Sequence, residues 1–379
     1  MKISLIGPVY PYRGGIAHYT ASLAKALVAA GHDVQVVSYR RQYPAALYPG
    51  QSDKDPSLHP IRVEAQFLLD PLYPWTWVET AKCIARSHPD LVLLQWWTTF
   101  WAPAYSVLAR SLRSRSPVVY LIHNVFPHET KPWDRAMARL ALSQGTAYIV
   151  QAPHERKKLE QLLPRAMISY CNHPVYGRFG QEPISKQLAR GQLGLPPDRP
   201  LVLFFGIVRP YKGLKYLMEA LAQAKTDAQL VVAGEFWEDV TYYRELIKHL
   251  GLAGQVTLID KYIPNEEAHI LFSAADLLVA PYVDGTQSGA VELALGYGLP
   301  SIVTEPIMAA IDQSKIGSLQ VVPAGNSRAL AEALTNAIAS LPGWAASQHP
   351  AEDDWWRMVE AIEEIGRATV VPVGEPGSK

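Results

Sequence analysis

The chain has 379 residues, 49% of them hydrophobic, with 35 Lys+Arg against 35 Asp+Glu. That length favours two domains with large cores. The balanced charge, without any nucleic-acid motif, argues against nucleic acid as a partner. The two cysteines, Cys83 and Cys171, make neither a disulfide framework nor a zinc spacing, which points to a reducing compartment.

Charge is unevenly spread. Residues 1–180 carry 20 Lys+Arg against 11 Asp+Glu, and residues 181–379 carry 15 against 24. A basic first half suits an anionic acceptor or an acidic membrane surface. Attraction between the two halves explains it about as well. The opening MKISLIGPVYP lacks the apolar core of a signal peptide. Leu91 to Ala109 is long enough and free enough of charge to span a membrane, but Gln95, Thr98, Thr99, Pro103 and Ser106 interrupt it. The expectation is a cytoplasmic protein with a peripheral contact at the inner face of the membrane.

Lys2–Gly7 reads as a first strand, Ile16–Ala30 as a helix with Ile16, Tyr19, Leu23 and Leu27 on one face, and Val34–Ser38 as a second strand. This is a Rossmann-like βαβ opening, without the dinucleotide fingerprint G-x-G-x-x-G. Gly14 and Gly15 stand at the helix start, where glycine lets backbone approach a phosphate or sugar closely. Tyr43–Pro60, rich in Pro, Tyr, Ser and Asp, reads as a surface loop suited to acceptor contacts. Leu91–Gln95 is a strand. Behind it, Trp96, Trp97, Phe100 and Trp101 read first as core and second as an apolar wall for a lipid-linked acceptor.

Val118–Ile122 is a strand that runs into His123-Asn124, and polar groups after a parallel strand lie where such sheets bind ligands. Tyr148–Gln151 is a strand and Ala152–Leu163 a helix, with His154 and Glu155 at its start. The Pro- and Gly-rich stretch Asn172–Pro200 marks a domain boundary. A second Rossmann-like domain begins with Leu201–Gly206. Arg209 and Lys212 follow at once, and such a pair suits clamping of a diphosphate. Leu230–Gly234 is a strand with Glu235 behind it, and Val256–Ile259 is another, followed by Tyr262-Ile263-Pro264.

Asp276–Thr304 then reads as strand, loop, helix and strand. Its loop delivers Thr286, Gln287, Ser288 and Gly289 to a helix N-terminus, which favours an anion. Glu292 lies one turn further on the same face, where a carboxylate accepts hydrogen bonds from ribose hydroxyls. Pro342–Pro350 is a break. Trp355–Ile365 is a last amphipathic helix, and the tail from Val370 reads as disordered.

The pair Asp284 and Glu292, with seven residues between them and Gly298-Leu299-Pro300 closing the unit, resembles the signature of retaining family 4 glycosyltransferases. TQSG and the string His123-Asn124 to Pro127-His128-Glu129 resemble a subgroup of that family. The resemblance runs from the first strand to the last helix. It departs from the usual pattern at Asp284, where Glu is normal, and at Arg209, which sits closer to Lys212 than in most members.

The resemblance implies an α/β protein of two facing Rossmann-like domains, the GT-B arrangement, with the active site in the cleft between them. An acceptor-side domain over 1–180 would be followed by a donor domain over 181–345, and a helix over 350–367 would pack back on the first. The reaction implied is transfer of a sugar, with retention, from a nucleoside diphosphate sugar to a glycan or lipid-linked acceptor. It needs neither metal nor cofactor. The carry-over makes His123, Arg209, Lys212 and Asp284 catalytic. Gly14, Gly15, Glu235, Tyr262, Ile263, Thr286, Gln287, Ser288, Gly289 and Glu292 would bind the donor. Two rivals stand beside it: a non-catalytic nucleotide-sugar binder acting as a partner subunit, and a nucleotide-sugar epimerase.

Overall fold

The protein is described by a computed structural model over residues 1–176, 182–285, 287–308, 311, 319–347 and 354–369, with the backbone alone for 342–347. Thr286 and the tail from Val370 lie outside these residues. The chain forms two compact units. Unit 1 comprises Met1–Leu47, Ile61–Asn172 and the C-terminal helix, and unit 2 comprises Tyr48–Pro60 and the described part of His173–Asp354.

Unit 1 runs β1 (Lys2–Ile6), α1 (Gly15–Ala29), β2 (Asp33–Tyr39), β3 (Gln66–Leu69), α2 (Pro74–Ser87), β4 (Leu91–Trp96), α3 (Ala102–Leu112), β5 (Val118–Ile122), α4 (Asp134–Leu142), β6 (Ala147–Val150), α5 (Pro153–Leu162) and β7 (Ile168–Tyr170). Unit 2 runs α6 (Lys186–Leu193), β8 (Leu201–Phe205), α7 (Leu214–Gln223), β9 (Gln229–Ala233), α8 (Val240–His249), β10 (Val256–Ile259), α9 (Asn265–Ala274), β11 (Leu277–Ala280), α10 (Gly289–Tyr297), β12 (Ser301–Thr304), α11 (Glu305–Met308), β13 (Leu319–Val322) and α12 (Ser327–Ser347). The last helix, α13 (Trp355–Thr369), packs on α1 in unit 1.

Both sheets are parallel. Their strand orders are β3-β2-β1-β4-β5-β6-β7 and β10-β9-β8-β11-β12-β13. Helices cover both faces of such sheets, so the strands are apolar throughout, and every residue of β4, β5, β9 and β11 is buried. Fully burying one Val or Leu side chain there contributes about 1.5–3 kcal/mol. The order reverses between β1 and β4, and again between β8 and β11. Ligands of doubly wound sheets bind beyond the strand C-termini at such a switch point.

Trp96 and Trp101 lie in the unit 1 core at 0% and 1% exposure, so they form no open apolar wall. Trp97 is half-buried, and its indole N–H donates to the Tyr43 hydroxyl at 3.0 Å. Glu155 is fully buried and structural, because its carboxylate accepts from Val125 N–H at 2.5 Å and from Lys158 Nζ at 2.7 Å. The break expected at Pro342 does not occur there. Helix α12 continues through Pro342 to Ser347, since one proline removes a single bond from a long ladder. No helix among the described residues is long and apolar enough to cross a membrane.

Residues 48–60 add one feature to the expected loop. They are irregular and mostly exposed, as a surface loop would be, but they fold with unit 2 and bury Asp55 and Ser57.

Candidate active site

The switch point of unit 2 brings two loops together. The first follows β8 and makes a tight turn at Pro210–Lys212, ending on Gly213 with φ 69°. The second follows β11 from Pro281 to the start of α10. They meet where Val283 N–H donates to Tyr211 O at 2.8 Å. Gly213 is needed twice over. Its φ is left-handed, and a Cβ there would stand 2.1 Å from the Pro281 carbonyl oxygen.

Tyr282 is the hub of this junction. Its ring centre lies 5.5 Å from Lys212 Nζ, and its edge packs on Tyr211 at 5.9 Å. Its hydroxyl accepts from Ser288 Oγ at 3.1 Å. Ser288 also caps α10, accepting from Val291 N–H at 3.4 Å. The lysine and the helix N-terminus are thus held by one aromatic side chain. Burial pushes the Tyr282 phenol up to about 12, against the opposing effect of the Ser288 bond.

Arg209 rests between two rings, its guanidinium carbon 5.4 Å from the centre of Tyr211 and 5.5 Å from that of Trp237. Desolvation lowers the Lys212 pKa below the usual lysine value; Tyr211 acts against this and the Arg209 charge adds to it. Two cations held this close favour a multiply charged anion that neutralises both. Glu292 sits in the first turn of α10 at 4% exposure. Burial, and then the Glu292 charge, hold the Tyr176 phenol well above its ordinary value. Tyr176 also lines Gly289, where a Cβ would come within 3.2 Å of its ring.

The other expected residues of unit 2 differ in burial and contacts. Asp284 is exposed, and its Oδ1 accepts from Gly285 N–H at 2.8 Å. Glu235, behind β9, is 3% exposed, with Oε2 accepting from Trp237 Nε1 at 2.9 Å. Tyr262 is half-buried and Ile263 buried, in the link from β10 to α9. Gln287 is half-buried just before Ser288.

Gly14, Gly15 and His123 belong to unit 1, beyond the C-terminal ends of β1 and β5. Gly14 has φ 103°, and among the described residues beyond their chain neighbours nothing lies within 4 Å of where a Cβ on Gly14 or Gly15 would stand. His123 is 3% exposed. Its Nε2 lies 2.5 Å from Gln95 Oε1, its Nδ1 lies 3.3 Å from Gln151 Nε2, and its ring meets Tyr19 edge-on at 4.7 Å. The two flanking amides orient the imidazole ring.

Sequence reasoning missed Trp237, Tyr282 and Tyr176, and it read 48–60 as a loop for acceptor contacts without its ties to unit 2. Trp237 follows Glu235 by two residues and Tyr282 precedes the TQSG loop, but an aromatic residue near a motif carries no sign of which ring it touches.

Comparison with known proteins places this geometry. The description "Glycosyl transferase 4-like domain" matches residues 14–169, and "Glycosyl transferases group 1" matches residues 199–340. The Anabaena Alr3699/HepE structure in complex with UDP and glucose superposes with a TM-score of 0.74 at 19% identity, covering 97% of this chain and 100% of that one. Two parallel sheets in two Rossmann-like halves define the class as the GT-B fold.

Within that class, the chain belongs to the group 1 glycosyltransferases. A D-inositol 3-phosphate glycosyltransferase of Segniliparus rotundus is 28% identical over 199 residues, 51% of this chain and 40% of that protein. An uncharacterized glycosyltransferase of Methanocaldococcus jannaschii, MJ1607, is 23% identical over 338 residues, 80% of each. The chain spans less than half the length of the first of these.

Proposed function

We propose that the protein is a retaining glycosyltransferase that moves a sugar from a nucleoside diphosphate sugar to a glycan or lipid-linked acceptor. The observation that carries this reading is the junction at the β8–β11 switch point. There Lys212 and the N-terminus of α10 meet around Tyr282, and Arg209 lies over the ring of Tyr211, which packs against Tyr282. Such a cluster suits the diphosphate of a donor, and the nearby Glu292 suits ribose hydroxyls. The neighbour in complex with UDP and glucose makes a UDP-sugar the first donor to try.

In the reaction the bond from the anomeric carbon to the β-phosphate oxygen breaks, and the diphosphate keeps the electron pair. Arg209, Lys212 and the amides at Ser288–Gly289 stabilise the charge that grows on it. The acceptor hydroxyl attacks from the face the diphosphate leaves, and its proton passes to the departing phosphate. That path gives retention without a covalent intermediate. His123 would contact the sugar as a hydrogen-bonding group, and Gly14 and Gly15 would let the ligand approach the backbone closely. Asp284, although exposed, would contact the sugar. Charge neutralisation by Arg209 and Lys212 supports a metal-independent reaction.

We also propose a peripheral contact of unit 1 with anionic membranes. With Trp96 and Trp101 in the core, its apolar part is the exposed group Leu72, Tyr73, Trp75 and Val78, where the Tyr73 and Trp75 rings pack at 4.7 Å. Its basic part is the exposed Arg110, Arg113 and Arg115.

A thermal-shift and donor-cleavage screen against UDP-, GDP- and ADP-sugars tests the reading, because a bound donor stabilises the fold. Slow cleavage of one donor, undiminished by EDTA, is the expected result. Binding without cleavage would favour the non-catalytic subunit. Conversion of the donor sugar without any acceptor would favour the epimerase. Full loss of activity in EDTA would overturn the metal-free mechanism.

A further inference from the structure

The chain leaves unit 1 at Leu47 and returns to it at Ile61, and everything between is folded as part of unit 2. The segment is fastened at both ends. At the first, the Tyr48 ring meets Trp237 edge-on at 5.5 Å, and Gln51 N–H donates to Glu235 Oε1 at 2.7 Å. At the second, Asp55 Oδ1 accepts from Ser57 N–H and from Ser57 Oγ, at 2.9 and 2.6 Å. That turn presents Ser57 Oγ to the first amide of α9, Asn265 N–H, at 3.0 Å. Leu58 N–H donates to Glu266 Oε1 at 3.0 Å. The N-cap of α9 is Pro264, which has no capping side chain, so Ser57 supplies the missing acceptor from 208 positions away.

The first fastening reaches the diphosphate clamp. Glu235 accepts from the segment's backbone with one oxygen and from the Trp237 indole with the other. Bonds to a buried carboxylate are charge-assisted and strong. They hold the Trp237 ring, and against that ring lies the Arg209 guanidinium. A guanidinium recognises phosphate through directed N–H bonds, so the orientation of its plane matters as much as its charge.

We propose that residues 48–60 are a strap that positions Arg209. Gln51 and Tyr48, acting through Glu235 and Trp237, set the guanidinium for the leaving diphosphate. Glu235 is then a positioning residue instead of a donor ligand. The inference rests on the proposed function, which supplies the diphosphate. Because the charge on that group is largest in the transition state, a slack strap lowers kcat more than it raises KM.

Three variants test this. Gln51→Pro deletes the N–H that Glu235 accepts, Gln51→Ala keeps it, and Tyr48→Ala removes the ring contact. Each is compared with the wild type in thermal unfolding and in cleavage of UDP-, GDP- and ADP-glucose. Gln51→Pro and Tyr48→Ala are expected to lower kcat about tenfold, with the donor KM changed less than about threefold. Gln51→Ala is expected to match the wild type. In an Arg209→Ala background the strap variants should cost nothing further, since coupled groups are non-additive.

Folded strap variants that turn over like the wild type overturn the strap. So does an undiminished loss in the Arg209→Ala background. If Gln51→Pro melts early, Tyr48→Ala decides alone. A wild type that neither binds nor cleaves any of the three donors overturns the proposed function, and the strap falls with it. An active wild type with unaffected variants overturns the strap alone.

Discussion

Lys212 carries its charge in a place that disfavours it. Its folded-state pKa lies below the ordinary lysine value, because desolvation outweighs the help of Tyr211. Between the two values the unfolded chain binds more protons, so this penalty is present at neutral pH and is relieved as pH rises through that window. Activity should run the other way, since only the protonated amine neutralises a diphosphate. The alkaline limb of kcat/KM is therefore expected below the ordinary lysine range, and Lys212→Arg should move it upward. A limb unmoved by that change would remove Lys212 from the clamp. Arg209→Ala or Lys212→Ala should each lower kcat by about 100- to 1,000-fold, the range for losing one group that stabilises developing charge. Glu292→Gln should instead weaken donor binding by about 1.5–3 kcal/mol in calorimetry, with the melting temperature kept. Arg209 and Lys212 stood out in the sequence because they follow a strand closely, and Glu292 because it lies one turn beyond a loop that opens a helix. Trp237 and Tyr282 were not, because they act on partners reached only through the packed loops.

At the scale of elements, the loops after β8 and β11 depend on backbone as much as on side chains. Gly213→Ala meets both a left-handed φ and the Pro281 carbonyl. The φ alone costs about 1–2 kcal/mol. Denaturant unfolding should show at least that loss, together with loss of donor binding. A Gly213→Ala protein of unchanged stability would mean that the two loops separate easily. Ser57→Ala should cost about 1 kcal/mol, the usual value of an N-cap, although Ser57 lies far from α9 in the chain. The strands were legible as continuous apolar runs, since a parallel sheet buries both faces. The role of 48–60 was not, because its Pro, Ser and Asp content is also that of an ordinary exposed loop. Its partners Glu235, Asn265 and Glu266 lie about 200 residues away.

For the whole molecule, the basic first half becomes a testable surface. Basic residues near an anionic membrane contribute about 1 kcal/mol each, and aromatic rings favour the interface. Sedimentation with liposomes of graded anionic content should show binding that rises with anionic lipid and falls with salt. Binding should drop in Tyr73→Ser/Trp75→Ser and when Arg110, Arg113 and Arg115 are all changed to Ser. Protein left in the supernatant at low salt on the most acidic liposomes would rule the contact out.

The order of apolar runs and glycine stops by itself determined two Rossmann-like halves and the positions of the loops that follow their strands. Strand propensity, turn chemistry and helix capping act over a few residues and leave their pattern in the chain. Only the tertiary structure decided that Trp96 and Trp101 are core and no wall, that Gln95 and Gln151 flank His123, and that 48–60 folds with unit 2. Those outcomes depend on which side chains burial brings together across long stretches of sequence. No local pattern encodes that choice.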